Sequence, residues 1–153
     1  MNKIFIAIIV VISFISLGYF FSSSTIETGP RIILGTELNC NPLKKMCWAT
    51  GNGVAIGLRL PFQAQYLKPF STQATIKGIE NRNIKKVTIT FEMSGMDMGQ
   101  NQFVLKQKKQ VNNYSGDVIL PVCVTGRTDW TAKVEVSTVD KIYQGDFKIS
   151  ITK

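Results

Sequence analysis

Met96 and Met98 stand two residues apart in Phe91-Glu92-Met93-Ser94-Gly95-Met96-Asp97-Met98-Gly99, a run interrupted by two glycines and an aspartate. Such a segment cannot bury every methionine in a core, so its thioethers are free for other work. Thioether sulfur is a soft donor that suits Cu(I). Two thioethers make a poor site, and a third soft donor is needed. Cys123, in Leu120-Pro121-Val122-Cys123-Val124-Thr125-Gly126-Arg127, is the candidate. Met96, Met98 and Cys123 are therefore the expected Cu(I) ligands, with Met93 close behind them. The competing reading is a methionine-rich turn, with Cys123 a buried, inert thiol.

Three cysteines are present, and Cys40 and Cys47 lie close together. In an oxidising compartment such a pair forms a disulfide, closing a small loop around Pro42. The alternative, two metal-bound thiolates, has six intervening residues and matches no standard zinc spacing. Trp48 is placed over this bridge.

The chain has no histidine. That absence removes histidine-based nucleophile systems, histidine-ligated zinc and the usual blue-copper ligand set. Asp117, Asp129 and Asp140 show no spacing suited to acid/base work or to a calcium loop. No catalytic residue is assigned, and an enzyme is not expected. Arg127 and Asp129 read as a turn ion pair without chemistry.

The elements that must position these sulfurs follow from patterning. Ile4 to Phe21 is an uncharged apolar run, about 27 Å long as a helix and near the lower limit for crossing a bilayer. With Lys3 before it, the positive-inside rule puts the N-terminus in the cytoplasm and the rest outside. This reads as a single-pass anchor in the inner (plasma) membrane, or as a cleaved signal that releases the chain to the periplasm. Residues 1–24 are the anchor or signal, 25–36 a tether in which Arg31 to Leu34 offers a first edge strand, and 37–153 the domain.

Within that domain, period-two alternation marks strands over Val54–Leu60, Thr72–Ile79, Val87–Met93, Gln102–Lys106, Tyr114–Val124, Trp130–Val136 and Ile142–Ile151. About seven strands separated by Gly, Asn and Asp turns suggest an all-β, immunoglobulin-like antiparallel sandwich behind one N-terminal transmembrane or signal helix. Parity puts Val87, Ile89, Phe91 and Met93 on the core face, and likewise Trp130, Ala132, Val134 and Val136. The same rule groups Val118, Leu120, Val122 and Val124, leaving Cys123 on the opposite face.

The net charge of +8 is densest at Lys106, Lys108 and Lys109. Outside the cytoplasm nucleic acid is not an expected partner. Lipid headgroups, an acidic protein or plain solvation of a hairpin tip each fit the lysines.

The export segment, the paired cysteines, FEMSGMDMGQNQF and LPVCVTGRTDWTAKVEV together resemble small exported bacterial β-sandwich proteins of the YtkA-like and FixH-like group. The resemblance covers most of the chain after Cys40. It implies a membrane-associated protein with a role in copper supply or in assembly of respiratory oxidases. Two functions follow as expectations: a membrane-anchored module that binds or delivers Cu(I), or a metal-free interaction module supporting a membrane complex.

Overall fold

A computed structural model describes residues 29–151, apart from 97, 98, 100 and 124. Ten strands run in chain order: β1 Arg31–Ile33, β2 Gly35–Thr36, β3 Cys47–Gly51, β4 Val54–Arg59, β5 Pro69–Lys77, β6 Ile84–Glu92, β7 Gln102–Gln107, β8 Asn113–Ile119, β9 Asp129–Thr138 and β10 Ile142–Ser150. Their spatial order is β1-β10-β9-β6-β7-β8-β5-β4-β3-β2. Every pairing is antiparallel except β1 on β10.

Two strands turn the corners. β7 pairs with β6 from Gln102 to Leu105 and then with β8 through Lys106 and Gln107, so it belongs to both halves of the sheet. At the opposite corner the segment 31–36 lies on β10 as β1 and on β3 as β2. Between them the Leu34 amide donates to the Gln144 carbonyl at 2.8 Å. The two ends of the strand order are thus consecutive pieces of chain, and the sheet becomes a nearly closed barrel, which leaves little exposed edge.

Inward-facing side chains from both halves fill the interior. Trp130, Phe91 and Phe147 from one half meet Ile56, Leu58, Ile76 and Val118 from the other, all fully buried. Phe70 and Phe91 pack edge-on, with ring centroids 6.2 Å apart, a geometry that aromatic quadrupoles favour.

The seven-stranded immunoglobulin-like sandwich is therefore corrected to a ten-stranded barrel. β4 to β10 overlap the seven alternating segments, β1 falls on the edge strand expected at Arg31 to Leu34, and β2 and β3 are additional. β3 follows the disulfide loop and turns into β4 through Asn52 (φ 51°) and Gly53 (φ 74°), with Gly51 opposite Val54. Two successive positive φ values are what a type I′ hairpin needs, and Asn-Gly supplies them without strain. Trp48 does not cover the disulfide. It lies on the outer face over Gly57, where a Cβ would stand 2.9 Å from its ring, and the Lys77 ammonium sits 4.4 Å from its centroid.

The membrane expectations are corrected too. The helical element among the described residues is the one-turn 3-10 helix Asn81–Asn83, and none of the described helices is long and apolar enough to cross a bilayer. A span needs roughly 20 apolar residues in a helix, whereas the apolar residues described here are spread along strands. The single-pass inner-membrane topology, the membrane as a partner through an N-terminal helix, and both membrane-dependent functions, copper delivery from an anchor and scaffolding of a membrane complex, therefore have no spanning element in this structure. The segment 1–24 on which the anchor was placed lies outside the described residues.

Candidate metal centre

Two turns at one end of the barrel carry the sulfurs. β6 runs out at Glu92, and the chain then folds back so that the Met96 amide donates to the Met93 carbonyl at 3.1 Å. Gly95 occupies the third turn position at φ 77°, the left-handed value that a type II turn requires. Met93 itself is buried in the core, while Met96 is half-buried against it. Further on, the buried Asn101 side chain accepts the Phe91 amide at 2.9 Å and ties the end of this loop back to β6.

The second turn follows β8. That strand ends at Ile119, just before Pro121, which has no amide hydrogen for a ladder. The alternation is lost there: Leu120 is buried, Val122 is 41 % exposed, and Cys123 is only 4 % exposed. Cys123 is thus part of the interior, contrary to the strand-parity expectation. Its carbonyl accepts the Gly126 amide at 3.1 Å, which closes the turn.

The two turns bring Cys123 Sγ to 3.4 Å from Met96 Sδ across 27 positions of sequence. The thiol donates to the thioether. Thr125 Oγ1 lies 2.9 Å from the same Sγ. The Thr125 hydroxyl, first among its surroundings, holds the Cys123 thiol below the usual range for cysteine. Burial opposes this, and the Thr125 and Arg127 amides and the Arg127 charge add to it. Hydrogen bonds to a thiolate and a nearby cation both favour the charged form.

Arg127 completes the arrangement. Its guanidinium grips the Asp129 carboxylate through Nε at 2.9 Å and Nη2 at 2.5 Å, and its Nη1 donates to the Ser94 carbonyl at 2.9 Å. This third bond ties the methionine turn to the cysteine turn. That salt bridge holds the Asp129 carboxyl below its ordinary range. Sequence reasoning assigned no chemistry to Thr125 or Arg127, although both sit two residues apart after Cys123, a spacing that could have flagged them.

Met98, the other thioether expected in the site, lies outside the described residues. Cys40 and Cys47 are joined by a disulfide with Cα atoms 5.7 Å apart, and Cys47 is fully buried. Cys123 is the free cysteine. Between the disulfide loop and the methionine turn is a cleft of about 610 Å³, whose lining includes Asn39, Cys40, Ser94, Asp129, Trp130 and Lys148. Trp130 of this lining donates through Nε1 to the Tyr66 hydroxyl at 3.2 Å, and that hydroxyl donates to the Ile151 carbonyl at 2.8 Å.

Another concavity, about 480 Å³ and lined by Arg31, Glu92, Lys133 and Glu135 among others, is neutralised from within. Arg31 pairs with Glu135 and Lys133 with Glu92, each at 2.6 Å. Among the described residues no three His, Cys, Asp or Glu side chains converge on a common point. Among the described residues, Met96 and Cys123 bring a thioether and a thiol together. No protein-family model, no curated protein and no solved structure significantly matches this chain.

Proposed function

We propose that this domain binds a soft monovalent metal ion, Cu(I), with Met96 Sδ and Cys123 Sγ as ligands. The observation that carries the reading is the 3.4 Å separation of the two sulfurs. Two sulfurs that share an ion at about 2.3 Å each can lie no farther apart than about 4.6 Å, so this pair is already within reach of one ion. The donor chemistry fits as well. A thiolate and a thioether are the soft set that selects Cu(I) over the harder divalent ions, and metal binding requires the thiol to lose its proton. The lowered proton affinity of Cys123 reduces that competition.

Met98 is the third donor that the sequence offers, two residues beyond Met96. A half-buried Met96 suits a site that must open to admit an ion, because three rotatable bonds let the thioether move without disturbing the fold. The likeness to the YtkA-like and FixH-like group supports copper as the ion. The reading concerns ion binding alone and does not include tethering to a bilayer.

The test is a Cu(I) titration of the full-length protein against a competing chelator, with the Cys40–Cys47 disulfide kept oxidised and Cys123 reduced. The parent is expected to bind one ion. Cys123→Ser should abolish competition with the chelator, and Met96→Leu should weaken it by about tenfold or more. Equal affinity in all three proteins would remove the assignment.

A further inference from the structure

Arg127 invites a structural explanation as an exposed turn salt bridge, and such pairs contribute little. Its bonding is more specific than that. Asp129, which it grips in bidentate fashion, is the first residue of β9 and lies opposite Ser150 of β10, so the carboxylate is fixed to the barrel wall. The remaining Nη1 reaches a backbone carbonyl 33 positions upstream, that of Ser94 inside the Met93–Met96 turn. The side chain therefore spans from the barrel wall to the segment that carries one sulfur, and its own backbone continues the turn that carries the other.

Among the described residues, the Arg127–Ser94 bond and the sulfur contact are the hydrogen bonds that cross from one turn to the other. Met96 is held to its own turn by the Met93 carbonyl, and Cys123 to its own by the Gly126 amide. Arg127 is the side chain that ties one turn to the other beside the sulfurs. A planar guanidinium can serve a carboxylate and a carbonyl at once in fixed directions; an ammonium cannot reproduce that fork.

We propose that Arg127 is the positioning residue of the sulfur centre: by holding the Ser94 carbonyl against the Asp129 anchor, it sets the separation of Met96 and Cys123. This inference rests on the Cu(I) reading above. Arg127 carries no ligand atom. Its effect is to keep the two donors converged before the ion arrives, so that binding does not have to order two separate turns.

The experiment compares full-length parent, Arg127→Lys, Arg127→Gln and Asp129→Asn by Cu(I) competition at one pH, with the near-ultraviolet thiolate–Cu(I) absorption and the melting temperature recorded for each. Both Arg127 variants should bind about tenfold more weakly, with a changed absorption band and a nearly unchanged melting temperature. Asp129→Asn leaves Arg127 in place but loosens its anchor, and should weaken binding by a few fold; it decides the matter if an Arg127 variant does not melt cooperatively. Parent-like affinity and absorption in Arg127→Lys would overturn positioning, because charge alone would then suffice. Unchanged binding in Asp129→Asn would overturn it as well. Failure of the parent to bind Cu(I) would instead remove the functional reading, which separates the two outcomes.

Discussion

Gly145 of β10 lies so close to Ala49 of β3 that a Cβ placed on it would stand 2.8 Å from the Ala49 Cβ and 3.0 Å from the Phe147 ring. These strands belong to opposite ends of the strand order. Their approach lies across the corner that the segment 31–36 closes, and it brings two of the smallest side chains together there.

Gly145→Val should push β10 away from β3 and strain the parallel β1–β10 pairing beside it. Overpacking of this kind costs about 1–3 kcal/mol. Chemical denaturation should show a lower midpoint at unchanged slope. A midpoint equal to that of the parent would mean that the contact tolerates expansion and that closure does not depend on it.

The thiol of Cys123 should titrate below an ordinary cysteine. Its alkylation rate, followed against pH in the folded protein, should reach half its maximum at lower pH than in the denatured chain. Thr125→Val removes the leading cause of the shift and should move the midpoint up. Because the folded-state value is depressed, the linked stability is present above the unfolded thiol's pKa and is lost as pH falls through the folded one. A midpoint that does not move in Thr125→Val would show that the hydroxyl does not act on the sulfur.

Replacing both Cys40 and Cys47 with Ser should lower stability by about 2.5 kcal/mol on the loop-entropy account, given the short loop they close. Their sequence separation is 7. Thermal melts of the double variant, compared with the oxidised parent, measure this directly. Cu(I) binding should persist in the double variant, since neither cysteine is a ligand in the proposed centre.

Asn101→Ala should destabilise by about 1–3 kcal/mol, the range for leaving a buried donor unpaired. The Phe91 amide would lose its acceptor, and the end of the methionine loop would lose its tie to β6. Hydrogen exchange at Phe91 is the sharper probe. Protection equal to that of the parent would contradict the role given to the carboxamide.

Acidification should release the Arg127 clamp before it unfolds the barrel. The Asp129 carboxyl titrates below its ordinary range because Arg127 hydrogen-bonds to its charged form. The clamp is therefore intact above the usual carboxylate range and is lost as pH falls through the depressed value. The Asp129 carboxyl resonance, followed by NMR against pH, should shift at lower pH in the parent than in Arg127→Gln.

By itself the sequence determined the β character of the domain and the inward faces of its longer strands. Trp130, Ala132, Val134 and Val136 are all buried, because a period of two leaves a half-buried strand no other way to sort apolar from polar residues. The absence of histidine likewise confined any soft-metal chemistry to sulfur. Tertiary structure alone decided the closure and the site. Local alternation says which side of a strand is buried but not which strand lies beside it, so the split of 31–36 between two strands and the sharing of β7 are settled only by long-range pairing. Parity also stops where a strand stops. Once β8 ended before Pro121, the place of Cys123 no longer followed from alternation, and its meeting with Met96, clamped by Arg127 on Ser94, came from the register that sets two distant turns at one end of the barrel.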